Sequence, residues 1–105
     1  MRCTRVALYD IKSGTFDEAV SKAKAGMLPL FQQSDGFVSY GLAQIDKKAF
    51  VSLSTWETRA QAHTATAKAA NWMKDTGQDH FTLRESYVGD LAVDAGIHDP
   101  ASMSR

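Results

Sequence analysis

The sequence predicts one α+β domain of the ferredoxin-like type, in which the elements follow the order β-α-β-β-α-β and form a four-stranded antiparallel sheet with two helices on one face. Two observations predict this fold: four segments have strand character, and two segments with helix character lie between them. The chain of 105 residues is the size of one domain, and such a chain should bury roughly 60–70% of the surface that its unfolded form exposes. We place the domain at residues 1–93 and a tail of loop composition at residues 94–105.

The first strand and the first helix are predicted within residues 3–31. Residues 3–11 alternate between two sets of apolar side chains, which is strand periodicity. Thr15 and Glu18 then have the spacing of a capping box, in which both side chains hydrogen-bond to free backbone N–H groups at a helix start. Apolar side chains recur at three- and four-residue spacing from Phe16 to Phe31. This stripe predicts an amphipathic helix.

A proline interrupts this first helix. Pro29 removes a backbone hydrogen bond and crowds the preceding turn, so we expect a kink or a break close to Gly26. The second helix is predicted to begin near Thr58 and to run through an alanine-rich stretch to about Lys74. Residues 81–88 give the fourth strand.

The second and third strands, residues 37–45 and 49–56, form a predicted hairpin around a polar turn at residues 46–48. An antiparallel sheet with one face in water alternates apolar and polar residues. These strands instead carry large apolar side chains at both odd and even positions, as at Phe37 and Val38. Because one pair of helices covers only one face, the pattern predicts a homodimer in which two sheets pack face to face.

Charge and composition exclude several classes of partner. The chain has twelve Lys and Arg and twelve Asp and Glu, so it has no net field that would gather phosphates, and we expect no nucleic-acid partner. No uncharged stretch exceeds ten residues, whereas a membrane span needs about 20 apolar residues. Since the first residues also lack the apolar region of a signal peptide, we expect a cytoplasmic protein with no membrane partner. The single cysteine, Cys3, allows neither an internal disulfide nor a multi-cysteine metal site.

Three stretches of the chain resemble the antibiotic biosynthesis monooxygenase (ABM) family of dimeric α/β-barrel proteins. They are the entry to the second strand, SDGFVSY, the third strand with its Trp-Glu end, FVSLSTWET, and the alanine-rich helix that follows. The resemblance implies a homodimeric α/β barrel that oxidises a small aromatic phenol or quinol with dioxygen and uses no metal or flavin cofactor. The alternative is a non-catalytic module of the same fold that binds a small molecule or only supports dimerisation.

The chain departs from the family in the second helix. Family members often carry a histidine there nine residues after the tryptophan, where this chain has Ala65. The nearest histidine, His63, is offset by two residues, which is about 200° around a helix, so it does not simply inherit that role. Heme-degrading relatives use a histidine farther along this helix as the iron ligand. The helix has no histidine after His63, so heme use is disfavoured.

The third strand predicts a binding pocket beside Trp56. This tryptophan shares its strand face with the small residues Ser52 and Ser54. Small side chains beside a large aromatic leave a cavity for a flat ligand, or they let a helix approach the sheet closely. A similar row of small residues on the second strand comprises Ser39, Gly41 and Ala43.

Other aromatic and polar side chains are further candidates for substrate binding. Tyr9, Tyr40 and Tyr87 lie on three different strands, and Trp72 lies late in the second helix. Each can orient a phenolic substrate through an O–H or N–H bond, or can simply pack in the core or at a dimer interface. Asn71, beside Trp72, is either a pocket amide or a surface residue.

The candidate catalytic residues are His63, His80 and Arg84. Either histidine has the chemistry of a base that removes a phenol proton, although an exposed or capping histidine is the alternative. Arg84 lies mid-strand, where it would stabilise a phenolate if the face is buried or would be surface charge if the strand is a solvated edge. No three His or carboxylate residues have metal-ligand spacing, so the sequence predicts no metal site.

Overall fold

A computed structural model describes residues 1–77 and 79–95 of the chain and confirms the predicted fold class. Its single sheet is antiparallel, with the strands in the order β2-β3-β1-β4. The strands are β1 (Cys3–Ile11), β2 (Phe37–Asp46), β3 (Ala49–Trp56) and β4 (Phe81–Asp90), and the helices are α1 (Phe16–Lys22), α2 (Leu28–Gln32) and α3 (Arg59–Trp72). Of the predicted tail, residues 96–105 lie outside the described residues.

The first helix is interrupted where the sequence predicts it. A π-helical turn, Ala23–Met27, joins α1 to α2 and contains Gly26. Pro29 lies in the first turn of α2, where backbone N–H groups have no partner within the helix. The missing N–H of the proline therefore costs α2 no hydrogen bond. A second π-helical turn, Met73–Gly77, follows α3. Such turns are single irregularities in α-helices that frequently occur at functional sites.

The start of α3 is held by a complete capping box. Thr58 Oγ1 accepts a hydrogen bond from the backbone N–H of Gln61 at 3.2 Å, and Gln61 Oε1 accepts one from the Thr58 N–H at 3.1 Å. Three alanines of this helix, Ala62, Ala65 and Ala69, are buried against the sheet. Ala65 occupies the position at which the family often has a histidine, and it is only 1% exposed. The small side chains let α3 lie close to β1 and β3.

The helix-covered face of the sheet carries two apolar clusters separated by polar groups. One cluster surrounds Trp56, and the other surrounds Tyr9 and Phe50. Between them lie Ser52 and Arg5, which are buried on neighbouring strands. Buried polar side chains in the middle of a core are costly unless they are paired, so this band is the part of the interior that requires a further explanation.

The other face of the sheet is not covered by helices. The register places Val6 between Leu53 on β3 and Tyr87 on β4, and Leu53 and Tyr87 are 40% and 59% exposed. We call this apolar row, Leu53–Val6–Tyr87, the open face. The small residues of β2 also lie on this side, because Ser39 pairs with Thr55 and Gly41 pairs with Leu53. The row Ser39, Gly41 and Ala43 therefore does not border the Trp56 side of the sheet, contrary to the pocket expectation.

No helix within the described ranges 1–77 and 79–95 is long and apolar enough to cross a membrane.

The connection between α2 and β2 depends on Gly36. Its φ is +80°, a conformation that L side chains rarely adopt, and a Cβ there would overlap the Gln61 side chain that caps α3. We expect Gly36→Ala to lower the free energy of unfolding by about 1–3 kcal/mol, because backbone strain and the displaced cap act together. Urea unfolding followed by circular dichroism measures this loss. Gly89→Ala is the matched control, since nothing lies within 4 Å of its added Cβ, and equal midpoints for the two variants would contradict the prediction.

Candidate functional site

A small cavity lies between the sheet and the helices, on the side of the two π-helical turns. Its volume is about 20 Å³, which is enough for about one water molecule. The wall is mainly apolar and includes five aromatic side chains, and Ser52 adds a hydroxyl from β3. The aromatic lining residues are Tyr9, Tyr40, Phe50, Trp72 and Phe81. We call this space the inner cavity.

A wider space of about 270 Å³, the outer cavity, opens between α1 and β2. Its lining includes the apolar side chains of Phe16, Val20 and Leu28 together with Lys24. Both cavities are lined by Ala23, Tyr40 and Leu42. These three side chains therefore form the wall between the outer cavity and the interior.

Each cavity tyrosine packs against an aromatic neighbour. Tyr9 stacks on Phe50 with ring centroids 5.2 Å apart, and Tyr40 meets the edge of Phe31 at 5.4 Å. Burial raises the pKa of the Tyr40 phenol, while a hydrogen bond from Ser52 and the charge of Arg5 act in the opposite direction. The net effect keeps Tyr40 protonated, so it can donate a hydrogen bond to a ligand in either cavity.

Arg5 is the functional candidate that the sequence reasoning missed. Its side chain is only 2% exposed, and its Nη2 donates a hydrogen bond of 3.4 Å to the Tyr9 hydroxyl. No hydrogen-bond partner for its Nε occurs in the described part of the chain. A signal was present, because Arg5 has the same strand parity as Ala7 and Tyr9 and therefore lies on the same face of β1 as these two residues.

Trp56, the centre of the predicted pocket, is packed on all sides. It has no exposed surface, and Phe31 and Phe37 contact its ring edge-on at centroid distances of 5.2 and 5.7 Å. Its Nε1 donates a hydrogen bond of 2.9 Å to Ser54 Oγ. The space beside Trp56 is thus filled by side chains, and the cavity lies farther along the same strand face, at Ser52.

The predicted catalytic residues do not meet at the inner cavity. His63 is exposed on α3, and Asn71 is exposed near the end of the same helix. His80 lies in the turn before β4, with Nδ1 3.2 Å from the Ser13 hydroxyl. Among the sequence candidates, the structure brings together Tyr9, Tyr40 and Trp72.

Arg84 occupies a surface position, which was the alternative to the catalytic role considered for it from the sequence. It is half-exposed near the rim of the open face and donates a hydrogen bond to Asp10 Oδ2 at 3.2 Å. This hydrogen bond lowers the pKa of the Asp10 carboxyl below its ordinary value. Because Asp10 already neutralises it and the sheet separates it from the cavity, Arg84 is not placed to hold a substrate anion there.

No group of three His, Cys, Asp or Glu side chains that could hold a metal ion occurs within residues 1–77 and 79–95.

Solved structures of ABM-type proteins share this fold. SnoaB from Streptomyces nogalater, a cofactor-independent oxygenase, matches with a TM-score of 0.70 and 19% sequence identity over 89% of this chain and 95% of that chain. A candidate antibiotic biosynthesis monooxygenase from Chloroflexus aurantiacus J-10-fl matches with a TM-score of 0.67 and 16% identity over 92% and 99% of the two chains. Another from Nitrosomonas europaea gives 0.66 and 20% over 87% and 91%. No family model and no curated protein sequence matches the chain significantly. The structural likeness confirms the predicted ABM-like fold.

Proposed function

We propose that the protein is a cofactor-independent monooxygenase that oxidises a small aromatic molecule of the phenol or quinol type between its sheet and its helices. The observation that carries the proposal is the inner cavity walled by Tyr9, Tyr40 and Trp72, on a fold shared with a cofactor-independent oxygenase. Aromatic walls suit a planar substrate, and the tyrosine hydroxyls offer hydrogen bonds to its oxygen.

The site must open to accept such a substrate. The inner cavity of about 20 Å³ is far smaller than an aromatic ring needs, whereas the outer cavity measures about 270 Å³. In the proposed complex the ring occupies the outer cavity and its oxygen points inward past Tyr40 and Leu42. Rotation of these two half-buried side chains joins the cavities without movement of the sheet.

In the proposed reaction a phenol becomes a quinone, with one oxygen atom of dioxygen entering the ring and the other leaving as water. The substrate supplies the electrons, because the hydrogens of its broken C–H and O–H bonds end in that water. The reaction begins from an electron-rich substrate anion, which hydrogen-bond donors at its oxygen stabilise. Tyr40 supplies such a donor, since burial raises its pKa.

Oxygen consumption tests this proposal. The purified protein is incubated with a series of phenols and quinols in an oxygen electrode, and quinone formation is followed by absorbance. A hydrogen bond to a charged oxygen contributes about 1.5–3 kcal/mol, so Tyr40→Phe should lower kcat by about 10- to 150-fold. Tyr87→Phe is the matched control, because Tyr87 lies on the other side of the sheet. An unchanged kcat in Tyr40→Phe, or no oxygen consumption with any substrate, would reject the proposed role.

A specific observation favours a second function, binding without turnover. The side chains that line the inner cavity include no histidine and no carboxylate within the described ranges, so no protein base stands beside the substrate. A non-catalytic small-molecule-binding module needs none. Ligand binding detected by calorimetry without oxygen consumption would favour this alternative.

We also propose that the protein is a homodimer formed through the open face. Leu53, Val6 and Tyr87 form an apolar row across three strands, and neither helix covers it. A second copy is the occupant that matches this surface, because two apolar sheet faces related by a twofold axis are self-complementary. The solution mass measures the assembly, and a monomer at micromolar concentration would contradict it.

A further inference from the structure

We propose that Arg5 is the centre of a buried anion site that binds the ionised oxygen of an aromatic ligand, a phenolate or a carboxylate, at the inner end of the cavity. The inference rests on the proposed function for the place where the ligand binds. The inference adds two points to that function: the bound ligand carries a negative charge, and Arg5 is the residue that selects this charge.

The first observation is a buried cation that has no carboxylate partner within residues 1–77 and 79–95. Arg5 is 2% exposed, and its only hydrogen bond within the described residues goes to the Tyr9 hydroxyl. The other three arginines in the described ranges differ, because each has a carboxylate partner: Arg2 with Glu57, Arg59 with Asp90 and Arg84 with Asp10. A guanidinium stays charged in proteins, and burying it unpaired is costly. A ligand that brings a negative charge removes that cost.

The second observation is the direction of the Arg5 side chain. Tyr9 lies four residues farther along the same strand face, which is about 13 Å at the rise of a β-strand. The guanidinium and the phenol can therefore meet only if both side chains extend toward each other over Ala7, whose small side chain provides the space. Ala7 pairs with Ser52 on the neighbouring strand, and both Ser52 and Tyr9 line the inner cavity. Arg5 does not itself line the inner cavity, but its guanidinium contacts the hydroxyl of Tyr9, which does, so the positive charge lies behind that wall of the cavity.

The other ionisable groups that the structure describes on this face leave the charge uncompensated. Tyr40 is kept protonated, because burial raises its pKa. The Cys3 thiol donates a hydrogen bond of 3.0 Å to Asp90 Oδ1, and this bond raises the pKa of the thiol. Asp90 itself is exposed at the end of β4, where it pairs with Arg59. The anion of the ligand is thus the group that balances Arg5, and a substrate bound already ionised needs no histidine base in the cavity.

A titration of a bound phenol tests the site on the unaltered protein. The probe is 4-nitrophenol, whose phenolate absorbs visible light, and the measurement is made under argon so that no turnover occurs. Burial alone raises the pKa of a phenol, whereas a cation within about 4–6 Å lowers it by about 1–3 units. We expect the bound probe to ionise at a lower pH than the free probe. Ionisation at the same pH or at a higher pH would overturn the proposal.

Substitution of Arg5 separates binding from folding. Arg5→Met should weaken phenolate binding at least tenfold, Arg5→Lys should retain part of it, and the surface control Arg84→Met should match the wild type. Since an apolar chain replaces an uncompensated buried charge, Arg5→Met should unfold at the same temperature or higher. Nitrobenzene, a neutral probe, should bind Arg5→Met and the wild type alike. Equal phenolate affinity in Arg5→Met and wild type would refute the site, and if Arg5→Met does not fold, Arg5→Lys and the titration decide.

Oxygen consumption distinguishes this inference from the proposed function. The first outcome is an Arg5-dependent decrease in the pKa of the bound probe under argon, with no oxygen consumption when any phenol or quinol is added. This outcome would support the anion site and reject the proposed oxidation. The second outcome is oxygen consumption at the same rate in Arg5→Met and in the wild type. This outcome would support the oxidation and reject the anion site.

Discussion

Replacing Trp56 by alanine is expected to lower the free energy of unfolding by about 3–5 kcal/mol, the usual cost of removing a large aromatic side chain from a core. The indole is completely buried, Phe31 and Phe37 pack against its ring, and its N–H is bonded to Ser54. Small domains are stable by only about 5–15 kcal/mol, so this substitution removes a large part of the total. Urea unfolding followed by far-ultraviolet circular dichroism measures the loss without relying on tryptophan fluorescence.

The control for this prediction is a residue that the sequence suggested as catalytic. His63→Ala changes an exposed position on α3, and such surface substitutions usually alter stability by no more than about 0.5 kcal/mol. If Trp56→Ala cost as little as His63→Ala, the indole would border open space rather than a filled core. That result would instead support the sequence-based interpretation that Trp56 lies beside a ligand pocket.

Placing a charge within the open face should break the proposed dimer. In Leu53→Glu, the twofold axis brings two carboxylates into an apolar interface, where each loses hydration and faces a like charge. We expect the dissociation constant to rise by about 100-fold or more, since like charges juxtaposed in an interface cost several kcal/mol. Light scattering across a micromolar concentration series measures the change in mass.

The matched substitution is Ala67→Glu, which adds the same charge to an exposed position of α3. This variant should remain dimeric, and circular dichroism should show that both variants are folded. A dimeric Leu53→Glu protein would mean that the subunits associate through another surface.

Patterns within short segments of the chain were enough to predict most of the fold. The alternation in residues 3–11, the spacing of Thr58 and Gln61, and the position of Pro29 each depend on neighbours close in sequence. The structure confirms a strand, a complete capping box and a helix interruption at these places. Such features are predictable because backbone geometry alone sets the relation between sequence spacing and side-chain direction.

The candidate site depends on contacts between residues distant in the chain. Trp56 was predicted beside a pocket because of its small neighbours on one strand, but Phe31 from α2 and Phe37 from β2 fill that space. Strand register decides that Ser39 and Gly41 face away from Trp56, and it also places Arg84 beside Asp10.

Strand parity in the sequence already placed Arg5 on the same side of β1 as Tyr9. That Arg5 has no carboxylate partner among the described residues depends instead on the tertiary fold, which determines the carboxylates that lie near it. Parity is a local property of the backbone. Pairing depends on the packing of every element around the site. Here Glu57, Asp90 and Asp10 pair with surface arginines, and the Arg5 side chain hydrogen-bonds to Tyr9 of the cavity wall.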